Sequence, residues 1–419
     1  MTVHIIGATS SPSCSSYALR RTAIDNEDQF DKDVTKTLFR NFYVDDMLRS
    51  KEDVNSSVKF IQNVKQLCQK GGFNLTKFVT NNQDVLKSIP DEHKGPSLKN
   101  IHIIDKSSDV IDRALGVSWN LQNDTFIFSF KLKDKPLTRR GILSTISSMY
   151  DPLGFVSPFV LKGRILLQRL SARKYGWDDQ LPDDIKDAWC DWKVKINQLE
   201  NTSIRRCFKP KTFDDIEECS FHHFSDASEE GYGQCSYIRI VDVNGNIACT
   251  LIIGKSRVCP LKFVSIPRME LAAAVLSVKI ASLIQKELAF SNTRHYFWTD
   301  SKIVLSYLQS NSRRFKTYVA NRVQQIKNAT MVEDWNYIRS ADNPADISSR
   351  GLYPEERNKI DVWFNGPTFL RSPQNEWIQS KVDVTIDEED SELGKLTPSL
   401  LHHQIHSYNS SKMFHVGFI

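Results

Sequence analysis

Four short stretches decide the fold of this 419-residue chain: FHHFSDAS (221–228), PRMEL (267–271), YFWTDS (296–301) and NPADISSRG (343–351). Each contains one acidic residue beside an apolar pattern, namely Asp226, Glu270, Asp300 and Asp346. Asp226 and Asp300 end runs that predict strands, whereas Glu270 and Asp346 lie where helices are predicted to start. Asn343 is predicted to cap the helix that contains Asp346. Two strand ends and two helix starts can converge on one point, so we expect the four carboxylates to meet.

Converging carboxylates suit the cleavage of a phosphodiester by two divalent ions. That reaction needs oxygen ligands holding two ions about 3.5–4 Å apart. Magnesium prefers carboxylates and completes its shell with water and substrate phosphate. Each acid also has a structural alternative, since Asp300 suits a helix N-cap and Glu270 suits the first turn of a helix. The ordered set of four favours the catalytic interpretation.

The elements between residues 221 and 351 are predicted in the order strand, hairpin, strand, helix, strand, helix, helix, strand, helix. Asn244-Gly245 predicts the hairpin turn. This order is that of the RNase H fold, and the motifs resemble the RNase H region of a BEL/Pao-type LTR retrotransposon Pol polyprotein. Retroviral RNases H usually carry a histidine before the fourth acid, whereas this chain reads Arg339-Ser-Ala-Asp342.

The resemblance implies an active ribonuclease H. The four acids would be catalytic and would bind two Mg²⁺ ions, with Mn²⁺ as an alternative. The partner would be an RNA–DNA hybrid, whose RNA strand is cut and whose duplex shape and 2′-hydroxyls are recognised. Ser228 and Arg268 lie beside the acids and are candidate nucleic-acid contacts.

A second acidic motif is YVDD at residues 43–46. Paired aspartates between apolar flanks are typical of a hairpin turn. The tetrad also resembles the palm hairpin of a reverse transcriptase, in which Asp45 and Asp46 would be catalytic metal ligands. A helix is predicted over 54–71 and a strand over 72–81, as in such palms. Residues 115–130 predict a hairpin that resembles the primer grip.

Arg139 and Arg140 belong to a segment that resembles the thumb and connection helices. They either contact the nucleic-acid backbone or form a solvated helix face. A reverse transcriptase also needs a third palm carboxylate, and the aspartates between residues 25 and 33 lie in a polar stretch without a strand pattern. We therefore expect no DNA synthesis by this chain alone. The expected partners include a missing upstream reverse transcriptase segment or a downstream integrase of the same polyprotein.

Composition sets wider limits. The formal net charge of +5 mildly favours a polyanionic partner. Eight cysteines without a C-x-x-C pair argue against a zinc knuckle and favour a reducing compartment. The apolar run 271–276 is too short for a bilayer, and no signal peptide pattern is present, so no membrane partner is expected. Family habit predicts a cytoplasmic location in a virus-like particle, or a nuclear one.

The predicted fold class is α/β and α+β, multidomain, with a partial reverse transcriptase palm and thumb before an RNase H-like domain that has a mixed five-stranded sheet. The acidic run 387–392 is interpreted as a flexible spacer. The predicted domains are a truncated palm (1–100), a thumb and connection (101–210), the RNase H-like domain (218–352) and a linker or tail toward integrase (353–419).

Two alternative functions stay open. Segments of this kind have been grouped as a Pao retrotransposon peptidase family, and aspartic catalysis needs paired acids that share a proton, usually in Asp-Thr/Ser-Gly turns. Neither Asp226-Ala-Ser nor Asp300-Ser-Lys contains that glycine. The other alternative is a catalytically inactive remnant that binds nucleic acid.

Overall fold

The chain divides into two compact units. The first comprises residues 1–152 and 176–211, and the second comprises residues 153–175 and 212–419. The structure, a computed structural model, describes residues 9–99, 111–114, 117–128, 132–288, 290, 293–310, 315–377 and 392–393.

The helices of the described residues occur in both units. None of these helices combines the length and the hydropathy that a membrane span requires. In chain order they are α1 (Ser11–Asp25), α2 (Lys32–Arg40), α3 (Val54–Lys70), α4 (Gln83–Lys87), α5 (Pro96–Lys99), α6 (Arg139–Ser147), α7 (Ser157–Ala172), α8 (Asp183–Asn197), α9 (Ile266–Glu287), α10 (Lys302–Gln309), α11 (Thr317–Lys327), α12 (Ala345–Arg350) and α13 (Arg357–Asn365).

The strands of the described residues form three sheets, whose orders are β1-β2, β3-β4-β5-β6 and β11-β10-β7-β8-β9. Their bounds are β1 (Phe42–Tyr43), β2 (Asp46–Met47), β3 (Ile111–Ala114), β4 (Val117–Asn120), β5 (Thr125–Ile127), β6 (Ser203–Arg205), β7 (Ile216–Ala227), β8 (Gly231–Asp242), β9 (Ile247–Val258), β10 (Arg294–Thr299) and β11 (Trp335–Tyr337).

The first unit has a helical core built by α1, α2 and α3. Leu38, Phe60 and Leu67 lie in this core, each at most 6% exposed. Helix α3 confirms the helix predicted over 54–71, and Asp53 caps it by accepting a hydrogen bond from the Ser56 amide at 2.8 Å.

The strand predicted over residues 72–81 is wrong. This segment makes only one isolated bridge, from Phe78 to Lys94, and Lys77 has a φ of +58°. A strand is stable only with a partner along its length, and a local sequence pattern does not reveal whether a partner exists. The hairpin predicted over 115–130 is confirmed by β4 and β5, although residues 115–116 and 129–131 lie outside the described residues.

The second unit is organised around the mixed five-stranded sheet. Strands β7, β8 and β9 are antiparallel, and the predicted turn at Asn244-Gly245 joins the last two, with Gly245 at a φ of +79°. Strand β10 lies parallel to β7, and β11 lies parallel to β10. Parallel neighbours need crossover connections, which α9 and then α10 and α11 provide. The predicted order of elements and the predicted fold class are confirmed.

One hydrophobic cluster joins these crossover helices to the sheet. Leu271 and Val278 of α9 pack with Phe297 of β10, Val304 of α10 and Trp335 of β11. Helix α9 also packs against β7 and β8. Because α9 and β10 share this core, the beginning of the helix and the end of the strand are held in a fixed relation.

Strand β9 forms one edge of the five-stranded sheet, opposite β11, and other parts of the second unit cover it. Helices α7 and α13 pack on it, and the Gly254 amide donates to the Leu153 carbonyl at 2.9 Å. The Trp363 indole, fully buried, donates to the Phe155 carbonyl at 2.7 Å. These contacts occupy an edge that would otherwise be open to pairing with another chain.

We predict that Gly254→Ala destabilises the protein. A methyl group there would lie 2.5 Å from Cζ2 of Trp363 and 2.7 Å from the Gly154 carbonyl oxygen. Overpacking of this kind costs about 1–3 kcal/mol of unfolding free energy. Urea denaturation measures the change, and Val243→Ala, at an exposed position beyond β8, is the control. An unchanged denaturation midpoint for Gly254→Ala would contradict this packing.

Candidate active site

Asp226 and Asp300 lie side by side at the same edge of the sheet. Asp226 is the penultimate residue of β7, and Asp300 directly follows β10. The parallel register pairs Ser225 with Thr299, so the next residue on each strand is the acid. The two strand-end predictions are confirmed. Asp300 is not the cap of α10, because the Ser301 side chain holds that position and accepts from the Val304 amide at 3.2 Å.

Glu270 reaches this edge from α9. The Ser301 hydroxyl, which caps α10, donates to Oε2 of Glu270 at 2.5 Å. Glu270 is thereby hydrogen-bonded to the residue that directly follows the strand-end acid Asp300. Its predicted place in the first turn of a helix needs correction, because α9 begins at Ile266 and Glu270 is one turn further in. Proline is tolerated in the first turn, so Pro267 lies inside the helix.

Asp346 belongs to α12, and two neighbours of Asp346 connect this helix to the strand ends. The side-chain amide of Asn343 donates through Nδ2 to Oδ1 of Asp300 and to the Ser225 carbonyl, both at 3.2 Å. The Ser349 hydroxyl donates to Oδ2 of Asp226. Asn343 also accepts from the Ala345 amide at 3.1 Å, as its predicted capping role requires. The α12 segment therefore orients both strand-end carboxylates.

The four acids influence one another electrostatically. Burial and the nearby charges of Asp300 and Asp346 raise the pKa of Asp226 to about 7. The hydrogen bond from Ser349 acts in the opposite direction and lowers this pKa. Burial and the charge of Asp300, opposed by the Ser301 hydrogen bond, raise the pKa of Glu270 to about 7. Like charges in a poorly solvated site disfavour ionisation. The structure thus brings the predicted acids into one connected group.

The chemistry of this group suits a hard divalent cation. It offers carboxylate oxygens, which Mg²⁺ and Mn²⁺ prefer, and a cation would relieve the repulsion that raises the pKa of Asp226. Within the described ranges, however, no three acidic, histidine or cysteine side chains lie close enough together to form a metal cage. Hydroxyls hold Asp226 and Glu270, and Arg350 pairs with Asp346. Metal binding would exchange some of these contacts.

Asp45 and Asp46 belong to the first unit and are both exposed. They lie in a two-residue hairpin in which Tyr43 pairs with Asp46 and Val44 has a φ of +57°. The predicted hairpin is confirmed. Among the acids between residues 25 and 33, Asp33 forms ion pairs with Arg49 and Lys51. The metal-binding role of Asp45 and Asp46 stays a prediction.

The predicted nucleic-acid contacts have different surroundings. Ser228 is buried, and its hydroxyl donates to the Ser349 carbonyl at 2.9 Å. Arg140 donates two hydrogen bonds to Asp178, at 2.8 and 3.0 Å. The Arg139 guanidinium lies 4.1 Å from the centroid of the Trp177 ring. Arg268 forms an ion pair with Glu392.

Sequence reasoning missed the residues that orient the acids. Ser301, Asn343, Ser349 and Arg350 occur in the quoted motifs, yet only Asn343 received a role, as a helix cap. A signal was available, because a serine directly follows one strand-end acid and another lies one helical turn after Asp346. Such serines are usually helix caps or surface residues, so this signal alone would not identify an acid-orienting role.

A family comparison matches part of the chain. Residues 138–301 match the sequence model described as the Pao retrotransposon-like RNaseH-like domain. The match contains Asp226, Glu270 and Asp300 and ends before Asp346. It confirms, for these residues, the resemblance that the motifs indicated. No curated protein matches the chain.

Solved structures with similarity to the chain include two ribonucleases H. The N-terminal RNase H domain of rv2228c from Mycobacterium tuberculosis, fused to maltose binding protein, is 9% identical, with 35% of this chain and 95% of that chain covered and a TM-score of 0.22. RNase H1 from Halobacterium salinarum is 11% identical, with 34% and 98% covered and a TM-score of 0.20.

The foamy viral protease-reverse transcriptase, solved with dsDNA, is also similar over a longer range. It is 15% identical, with 80% of this chain and 60% of that chain covered and a TM-score of 0.19. At TM-scores this low, none of the three structures decides the function of the chain. The assignment of the site depends on the family match and on the geometry of the acids.

We predict that Asp226→Asn stabilises the metal-free protein at pH 8 and has little effect at pH 4. The folded-state pKa of about 7 exceeds the unfolded value of about 4. Between these values the folded state binds more protons, so wild-type stability falls as pH rises through this window. The variant escapes that loss, which is at most about 4 kcal/mol for a pKa difference of about three.

Thermal unfolding in EDTA across this pH range measures the effect. Asp342→Asn is the matched control, since Asp342 is a nearby acid that pairs with Arg339 at the surface. A stabilisation by Asp226→Asn that is as large at pH 4 as at pH 8 would contradict the electrostatic origin.

Proposed function

We propose that the second unit is a ribonuclease H that hydrolyses the RNA strand of RNA–DNA hybrids. The observation that carries the proposal is the position of Asp226 and Asp300 at the ends of adjacent parallel strands, joined by the Asn343 and Ser349 contacts of α12. The family match over residues 138–301 supports the same activity. Asp226, Glu270, Asp300 and Asp346 are the proposed catalytic residues.

The chain's own residues would prepare the site for reaction. The four carboxylates would hold two Mg²⁺ or Mn²⁺ ions, which when bound supply an activated water and stabilise the leaving oxygen. Ser349 and Asn343 orient the strand-end acids, and Ser301 orients Glu270. These hydrogen bonds fix the carboxylates before substrate arrives, which lowers the reorganisation needed for catalysis. Duplex shape and 2′-hydroxyl contacts would select the hybrid.

We further propose that the first unit is related to a reverse transcriptase palm and thumb, with Asp45 and Asp46 as its acidic pair. The exposed two-residue hairpin supports this proposal, because both carboxylates are accessible to ions. The aspartates between residues 25 and 33 lie in a polar stretch without a strand pattern, so none is a good third palm carboxylate. We therefore expect no DNA synthesis by the chain alone.

We predict that Asp300→Asn lowers kcat for hybrid cleavage by at least about 100-fold. The substitution removes a charge at the centre of the acid group while keeping the side-chain shape, and losses of this size are typical when electrostatic stabilisation of a transition state is removed. A labelled RNA–DNA hybrid with Mg²⁺ is the substrate, and gel analysis of the labelled RNA gives the rate. Asp342→Asn, a nearby surface acid paired with Arg339, should keep kcat within about twofold.

Three outcomes separate the candidate functions. Cleavage of the RNA strand that is lost in Asp300→Asn supports the ribonuclease. Cleavage of a labelled protein substrate that is lost in Asp226→Asn, without hybrid cleavage, favours the peptidase and contradicts the proposal. Hybrid binding without cleavage at any Mg²⁺ or Mn²⁺ concentration favours the inactive remnant.

A further inference from the structure

Arg268, on the first turn of α9, forms a two-point ion pair with Glu392. Its Nε donates to Oε1 at 2.7 Å, and its Nη2 donates to Oε2 at 2.9 Å. The Glu392 side chain is only 9% exposed, and the Arg268 side chain is 32% exposed. The two residues are 124 positions apart in the chain. A nearly buried carboxylate is stable only when a nearby group compensates its charge, and here the Arg268 guanidinium does so.

Backbone contacts hold Glu392 in this position. The Lys316 amide donates to the Glu392 carbonyl at 2.8 Å, and Leu393 forms an antiparallel bridge with Phe315. Tyr318 fixes the other partner, because its hydroxyl donates to the Arg268 carbonyl at 3.4 Å and its ring centroid lies 5.0 Å from the guanidinium. The ion pair is therefore part of a built site. The interpretation of Glu392 as part of a flexible spacer is wrong for this residue.

This site shares the start of α9 with the proposed catalytic residue Glu270. Arg268 and Glu270 are two positions apart in the helix, which is a rise of about 3 Å along its axis. Their side chains leave the helix about 200° apart. Glu270 faces Ser301, whereas Arg268 faces Glu392 and Tyr318. A duplex that contacts Glu270 would have to extend around the start of α9 for one of its phosphates to reach Arg268.

The chemistry of the pair fits a phosphate as well as a carboxylate. The planar guanidinium fork makes two parallel hydrogen bonds to either group. The sequence that leads to Glu392 is acidic at Asp387, Glu388, Glu389 and Asp390, so it carries a series of anionic groups. A nucleic-acid backbone carries the same charge at regular intervals. Both polymers can compete for one arginine.

We propose that Arg268 binds a backbone phosphate of the hybrid and that Glu392 occupies this phosphate site in the free chain. The Glu392 carboxylate is thus an autoinhibitory competitor of the substrate. Hybrid binding requires displacement of the Glu392 carboxylate, and the reaction itself is unaffected once the duplex is seated. This inference rests on the proposed ribonuclease function for its substrate class.

We predict that Glu392→Gln tightens hybrid binding about threefold to tenfold, which corresponds to about 0.65–1.4 kcal/mol. Fluorescence anisotropy of a labelled hybrid, measured on the full chain carrying Asp300→Asn, gives Kd without cleavage. Glu287→Gln is the control, because this substitution removes the same charge at a half-exposed residue that ends the same helix. In an Arg268→Gln background, binding should be weaker, and Glu392→Gln should have no further effect.

Cleavage kinetics test the same idea with Asp300 intact. Glu392→Gln should lower KM by the same factor and keep kcat within about twofold. An unchanged Kd with a lowered melting temperature would show that the pair is only a structural clasp and would overturn the inference. An equal effect of Glu392→Gln with and without Arg268 would also overturn it.

Failure of the proposed function gives a different result. If wild-type protein cuts no hybrid but Glu392→Gln still tightens binding through Arg268, the competition stands and the ribonuclease does not. If wild-type protein cuts hybrid while Glu392→Gln changes neither Kd nor KM, the ribonuclease stands and the competition does not. If neither version carrying Asp300→Asn binds hybrid, the phosphate site is excluded.

Discussion

The second unit depends on the placement of carboxylates at the ends of two adjacent parallel strands. Asp226 is 5% exposed, and its neighbours include two further acids. This arrangement opposes folding unless protons, cations or hydrogen bonds compensate the charge. Part of that compensation comes from the Ser349 hydroxyl of α12 and from the side-chain amide of Asn343, just before α12. The sheet, its crossovers and this short helix must therefore form together for the site to exist.

Beneath the acids, the two strands are joined by a buried polar and aromatic layer. His223 forms a hydrogen bond with Ser236 at 2.8 Å and with His295 at 2.9 Å, and Trp298 donates to His222 at 3.3 Å. Burial keeps the pKa of His222 and His223 well below its usual value, with Arg239 and His295 as smaller contributors for His222, so both are neutral at physiological pH. Buried hydrogen bonds restrict the arrangement of the side chains that make them, although Nε2 of His295 is buried without a hydrogen-bond partner among the described residues. This layer keeps β7 and β10 in the register that aligns Asp226 with Asp300.

Parts of the chain far from the sheet strands complete the second unit. Helix α7 covers β9, and the buried Arg239 donates to the carbonyls of Leu370 and Ser372 while its guanidinium lies 5.2 Å from the centroid of the Trp377 ring. The segment after Gly351 thus packs on the sheet as far as the described residues continue to 377. The Arg268–Glu392 contact is a second case of such a long-range contact. Segments distant in sequence thus supply carbonyl groups that bind Arg239 of the sheet and a carboxylate that binds Arg268 of α9.

The sequence by itself determined the order of elements, the strand ends at Asp226 and Asp300 and the Asn244-Gly245 turn, because side-chain period and turn chemistry are local properties. It also indicated the four acids. Only the tertiary structure decided that Ser349 and Asn343 contact acids or strands more than 100 residues away, and that Glu392 pairs with Arg268. The strand expected over 72–81 failed for the same reason. Pairing partners and the electrostatic surroundings of a charge are set by distant residues, which no local pattern identifies.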